Sequence, residues 1–138
     1  MVDLPRLLSL LERIAAETAG LRALAARPDV ELDAGSDALA AVKYRFVVAI
    51  EAAVDICRHV AASEGLRVPR DMRDAFAVLV EAGWLPGSVD LTGMAGFRNV
   101  LVHGYAEVDD DLVRMALRTR LDDLDAFRRA VAARAHTE

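Results

Sequence analysis

Apolar residues recur along this chain at intervals of three and four, and that rhythm lays out its elements. From Leu4 to Ala25 they fall at 4, 7, 8, 11, 14, 15, 21, 24 and 25, with Thr18 on the same line, the spacing of one buried helical face. Asp3 stands where an N-cap is wanted and Pro28 ends the run. Residues 29–37, with Asp29, Asp33, Gly35, Ser36 and Asp37, read as a turn followed by another cap. A second helix then runs to about Glu64 on the stripe Leu39, Val42, Phe46, Ile50, Val54 with Ala53, Cys57, and Val60 or Ala61, and Gly65 is its stop. At about 1.5 Å per residue it spans ~40 Å, long enough to be the backbone of a bundle. After a loop over Gly65 to Pro69, Asp71 to Ala82 forms a shorter helix burying Met72, Ala75, Phe76, Leu79 and Val80, closed by Gly83. Trp84-Leu85-Pro86-Gly87 is a tight connection with an apolar anchor, and Ser88 or Asp90 begins a helix that stops at Gly104. The cluster Asp109-Asp110-Asp111 suits the positive end of a last helix, whose stripe is Val113, Leu117, Leu121, Leu124, Phe127 and Val131.

No alternating strand pattern, repeat, low-complexity tract or linker interrupts this. The expected fold is therefore all-α: one antiparallel bundle of about five helices, residues 1–138 as a single domain, large enough for a real core. The near-heptad stripes of the first, second and last helices also suit a subunit interface. Cys57 is the single cysteine, which excludes an intrachain disulfide, and no cysteine and histidine set has zinc-ligand spacing. No metal or cofactor is implied. The N-terminal leucines are interrupted by Glu12, no signal peptide follows, and no apolar run reaches the roughly 18 residues of a membrane span. A reducing, cytoplasmic setting fits, with no membrane partner.

Charge narrows the partners. The net charge of −5 argues against a general polyanion binder, so DNA is not expected and any RNA contact is local. The basic side chains are nearly all arginine, Lys43 being the one lysine.

Chemistry concentrates in one stretch, Met94-Ala95-Gly96-Phe97-Arg98-Asn99-Val100-Leu101-Val102-His103-Gly104-Tyr105. Gly104 as a helix stop puts the His103 imidazole in the last turn. Arg98 and His103 are five residues apart, about 140° of rotation and about 7.5 Å of rise, so their side chains leave different faces and one chain makes a poor site. Two copies around a two-fold axis would bring both pairs into one cleft. Paired imidazoles, one neutral and one protonated, suit RNA cleavage, in which a ribose 2′-hydroxyl is deprotonated, attacks the adjacent phosphorus and expels the 5′-oxygen. An arginine then stabilises charge on the phosphoryl oxygens.

Arg98, four residues, His103, one residue, Tyr105, with polar Asn99 after the arginine, resembles the R-x4-H-x-Y signature of HEPN-domain ribonuclease toxins, specifically the HepT-like branch. Residues Ile50 to His59 resemble that branch's second helix, and the likeness covers nearly the whole chain. It implies a homodimeric, metal-independent toxin that cuts tRNA or mRNA, with Arg98 and His103 as catalytic pair and Asn99 supporting them or touching RNA. It also implies a cognate MNT-type nucleotidyltransferase antitoxin that transfers AMP from ATP to Tyr105. Gly104 departs from the larger, often charged residue frequently found there, which bears on loop rigidity.

Plainer roles fit several of these residues. Arg98 and His103 also read as a surface arginine and a capping histidine, Asn99 as a local cap, and Tyr105 as a half-buried aromatic. Asp55 and His59, at i and i+4, permit a direct pair, either structural or supporting the site, and Glu51 one turn earlier can join their face. Arg67, Arg70 and Arg73 flank the loop into the third helix as a solvated run or an RNA-guiding rim. Cys57 and Trp84 read as core, and His136 as part of the tail. A non-catalytic helical dimer that binds a nucleotidyltransferase is the competing reading of the whole.

Overall fold

The computed structural model describes residues 2–89, 91–104 and 108–137. Among these residues are six α-helices: α1 Leu4–Ala25, α2 Asp37–Ser63, α3 Met72–Glu81, α4 Thr92–His103, α5 Asp110–Thr119 and α6 Leu121–His136. No strand occurs among the described residues. The all-α expectation holds, with one more helix than the apolar rhythm indicated.

Four helices begin on the carboxylate or hydroxyl that a helix N-terminus needs for its unpaired N–H groups. Asp3 accepts the N–H of Arg6 at 3.2 Å, Ser36 that of Leu39 at 3.1 Å, Asp71 that of Asp74 at 2.8 Å, and Asp109 that of Asp111 at 3.0 Å. Gly65 and Gly83, with φ of 65° and 80°, turn the chain after α2 and α3 in the left-handed region that glycine occupies without strain.

α2 is the axis of the bundle. Leu39, Val42, Phe46, Ile50, Ala53, Val54, Cys57, Val60 and Ala61 are all buried along it, and α1, α3, α4 and α5 all pack on it. Burial pushes the Cys57 thiol well above its ordinary range, so it behaves as core. Trp84 is buried, with the Arg134 guanidinium 5.3 Å from its ring centroid, and is an anchor rather than a stacking platform.

Two connections depart from expectation. Residues Asp29–Leu32 form a turn of 3-10 helix that buries Leu32 completely. Arg118 reaches across to the carbonyl oxygens of Ala25 and Arg27 and to the Asp29 carboxylate, satisfying acceptors left open at the end of α1. The expected last helix is two, broken at Arg120. There the Thr119 hydroxyl donates back to the Met115 carbonyl at 2.7 Å, a contact that bends helices. The apolar stripe runs unbroken from Val113 through Leu121 to Val131, so periodicity alone does not register the bend.

Candidate functional site

α4 carries the chemical residues and is fixed by its apolar side. Met94 and Ala95 are buried, and Phe97 meets Phe46 of α2 edge-on with ring centroids 5.2 Å apart. The helix starts at Thr92, later than Ser88, and Leu91 before it offers no side-chain cap; Asp90 lies outside the described residues. With α4 docked this way, Asn99, Val100 and His103 are exposed and Arg98 is partly covered.

Arg98 does not simply leave the helix in its Cβ direction. Its Nε and Nη2 both donate to Oε1 of Glu51 on α2, at 3.0 and 2.5 Å, and its Nη1 donates to Oδ1 of Asn99 at 3.1 Å. Glu51 thus holds the guanidinium from α2, and Asn99, its neighbour in the chain, takes the remaining bond. Asn99 and His103 are four residues apart and share a face. The bond to Asn99 links Arg98 to a residue on the side of α4 that bears the imidazole, and no hydrogen bond joins the guanidinium to His103 itself.

His103 occupies the last turn of α4 and is exposed. Gly104 closes the helix, its N–H donating to the Val100 carbonyl at 2.7 Å. Its φ of −76° is an ordinary right-handed value, so no special backbone conformation explains the glycine. Space does: a Cβ there would lie 2.4 Å from the Val100 carbonyl oxygen and 3.1 Å from Cγ2 of Val108. The larger residue expected from the family pattern does not fit this turn as built. Tyr105 lies outside the described residues.

The α2 residues divide. Glu51, a side remark of the sequence pattern, is the one that meets α4. Asp55 is exposed one turn on, and no bond joins it to His59. His59 instead accepts the backbone N–H of Asp3 at Nε2, 3.3 Å away, and so braces the start of α1. The signal for Glu51 was its place on the same polar strip as Asp55 and His59; its partner, 47 residues away in sequence, was not readable.

The arginines around α3 divide as well. Arg67 grips Asp74 with two bonds of 2.7 and 2.8 Å and reaches Glu81 with two more of 2.9 Å. Arg70 adds its backbone N–H and side chain to Asp74. The Arg67 hydrogen bonds, helped by those of Arg70, hold the Asp74 carboxyl well below the usual range. Arg73 takes no part in this network.

Among the described residues, no three His, Cys, Asp or Glu side chains are placed to hold a metal ion, and no helix is long and apolar enough to cross a membrane.

This all-helical bundle has the fold of solved toxins of toxin-antitoxin complexes. The chain superposes with a TM-score of 0.86 on the tri-AMPylated HEPN toxin of Shewanella oneidensis, solved in complex with an MNT antitoxin, over 96% of this chain and 99% of that one at 22% identity. A toxin-antitoxin structure with AMP-PNP gives the same score at 21% identity, over 94% and 98% of the two chains. The cytosolic protein YutE of Bacillus subtilis, of unknown function, gives 0.83 at 17% identity over 99% and 92%. The chain belongs to the ribonuclease HepT-like family, whose profile matches residues 11–131. It is 34% identical over 79 residues to the mRNA nuclease HepT of Shewanella oneidensis, a match covering 56% of this chain and 59% of that protein.

Proposed function

We propose that this chain is an endoribonuclease toxin that cuts tRNA or mRNA without a metal, acts as a homodimer, and is silenced by a cognate MNT-type nucleotidyltransferase that transfers AMP from ATP to Tyr105. The observation that carries the reading is the Arg98 guanidinium, anchored on Glu51 and bonded to Asn99, on the same helix as exposed His103. Membership of the family supports it, as do relatives described as an mRNA nuclease and as toxins complexed with MNT antitoxins.

In this mechanism a neutral imidazole takes the proton of a ribose 2′-hydroxyl. The 2′-oxygen bonds to the adjacent phosphorus as the bond from phosphorus to the 5′-oxygen breaks, and a second, protonated imidazole gives that oxygen its proton. The products are a cyclic phosphate and a 5′-hydroxyl. One chain offers one His103, so the second imidazole comes from the other copy. Arg98 donates to the phosphoryl oxygens as their charge grows. AMP on Tyr105, two residues past His103, adds bulk and negative charge beside the cleft.

The test is cleavage of total cellular RNA by the purified protein and by His103→Ala, each in EDTA. Cleavage by the parent alone supports the reading; equal cleavage by both, or a requirement for Mg²⁺, overturns it. The net charge of −5 and the neutralisation of Arg98 by Glu51 favour a second reading, a non-catalytic helical dimer that binds a nucleotidyltransferase. Growth arrest on expression without the partner, abolished by Arg98→Ala, separates the two.

A further inference from the structure

Among the described residues two arginines lie across helix glycines, and they differ in what else they touch. Arg45 of α2 covers Gly20 of α1 so closely that a Cβ there would lie 2.4 Å from its Cζ, and the same guanidinium is paired with Glu17 at 3.4 Å. Arg73, at the start of α3, covers Gly96 of α4, where a Cβ would lie 2.6 Å from its Nη2. Unlike Arg45, Arg67, Arg70 and Arg98, Arg73 has neither a carboxylate nor a hydrogen-bond acceptor among the described residues, and it is exposed.

Its location makes that unpaired charge informative. Gly96 and His103 are seven residues apart, which on an α-helix returns to within about 20° of the same direction and advances about 10.5 Å. The Arg73 guanidinium therefore lies over the same face of α4 that bears Asn99 and His103, two turns before the imidazole. A glycine inside a helix costs about 1 kcal/mol relative to alanine, and here the missing Cβ is the space the guanidinium occupies. Beside it runs a groove of about 460 Å³ lined in part by Phe97, Val100, Leu112 and Met115. The carboxylate on that groove, Asp123, is itself paired with Arg120 at 3.5 Å.

We propose that Arg73 is a substrate-positioning residue that holds a phosphate of the RNA strand flanking the cleaved one, with Gly96 as the notch that lets it lie along α4. The inference rests on the nuclease reading above. An exposed guanidinium with no partner among the described residues, aligned with a candidate general acid or base at a fixed distance along one helix, has the chemistry of a backbone-tracking contact. It adds affinity and register, and takes no part in proton transfer.

The experiment measures binding of a short, fluorescein-labelled, single-stranded RNA of mixed sequence across a salt series, on full-length protein carrying His103→Ala so that nothing is cut. Adding Arg73→Ala is expected to weaken binding roughly tenfold, the size of one charge-assisted hydrogen bond. It should also reduce the slope of log K against log salt by about 0.7, one single-strand phosphate contact. Arg73→Lys should keep the slope. Gly96→Ala should displace the guanidinium and reproduce the binding defect while melting no lower than the parent. In the cleaving background, Arg73→Ala should raise KM and leave kcat within about twofold.

Unchanged affinity and slope in Arg73→Ala overturn the inference, as does a drop in its assembly mass by light scattering, which would make Arg73 an interface residue. His103-dependent cleavage that is indifferent to Arg73 sinks this inference alone. No cleavage by the parent, with Arg73-dependent RNA binding intact, sinks the nuclease reading alone. A parent that binds no RNA removes both.

Discussion

Two clusters in this molecule are made of the same groups and built to opposite ends. At the loop into α3, Arg67 and Arg70 converge on Asp74, which is buried and receives bonds from both guanidiniums and from the backbone N–H of Arg70, while Glu81 takes what Arg67 has left. Every charge there is answered. At α4, one carboxylate oxygen of Glu51 takes two bonds from Arg98, Asn99 takes a third, and His103 and Arg73 stand exposed with no hydrogen-bond or ion-pair partner among the described residues. The first cluster is saturated and holds a loop to a helix. The second is held firmly on its inner side and left open on its outer side, as a site requires when its remaining partner is a substrate.

The largest expected effect falls on the open cluster. Arg98→Ala should lower RNA cleavage at least ~100-fold, the scale of losing one charge-stabilising donor. Arg98→Lys should recover little, because a single ammonium cannot bond Glu51 twice and Asn99 at once. Melting of both variants should stay near that of the parent, since the pair is partly exposed. Strong destabilisation with the loss of cleavage would erase the contrast between the clusters.

Next in size is the closed cluster. Arg67→Ala strips Asp74 of its bidentate partner and leaves a buried carboxylate on Arg70 alone, so the melting temperature should fall by several degrees. Cleavage per folded molecule should be unchanged. A nuclease defect at full stability would move Arg67 into the site and restore the whole loop as an RNA-guiding rim.

How much of this contrast the chain displays in advance depends on range. The α2 stripe from Leu39 to Ala61 and the caps at Asp3 and Ser36 were legible because helix periodicity and capping act over three or four residues. The bend at Arg120 was not, because a threonine hydroxyl returning to its own helix leaves the apolar rhythm intact. In the candidate site, Arg98, Asn99 and His103 were singled out by residue type and by the signature they resemble. The partner of the Arg98 guanidinium was not legible, because a helical wheel records directions within one helix and Glu51 comes from another. Arg67, Arg70 and Arg73 looked alike in sequence. What separates them is which one finds Asp74, and that is set by the fold of the loop.

A smaller effect sharpens the role of Glu51. Glu51→Gln keeps a hydrogen-bond acceptor and removes the charge that competes with phosphate for Arg98. Tighter RNA binding, a KM lowered ~3-fold, should accompany a kcat lowered by a similar factor as the guanidinium loses its fixed position. Single-turnover kinetics separate the two. If Glu51 were merely structural, as Asp74 is, the substitution would change melting and leave both constants alone.

The smallest expected effect is in acid, and it belongs to the closed side of the comparison. Asp74 is held below its ordinary value chiefly by the Arg67 hydrogen bonds. At Asp125 burial works in the other direction, but the hydrogen bonds from Arg22 and Arg128 outweigh it and the carboxyl is also lowered. A carboxyl whose folded value lies below its unfolded value, near ~4 for aspartate, binds fewer protons when folded. Its stabilisation is complete above that unfolded value and is lost as pH falls through the folded one. The melting temperature should therefore be flat from neutrality to about pH 5 and decline below ~4. Asp74→Asn should begin lower and decline less, because the titrating group is gone while the acceptor oxygen remains. An equally steep acid decline in that variant would transfer the acid sensitivity to Asp125 and the other carboxylates, and leave the Arg67 cluster as a geometric clamp without electrostatic leverage.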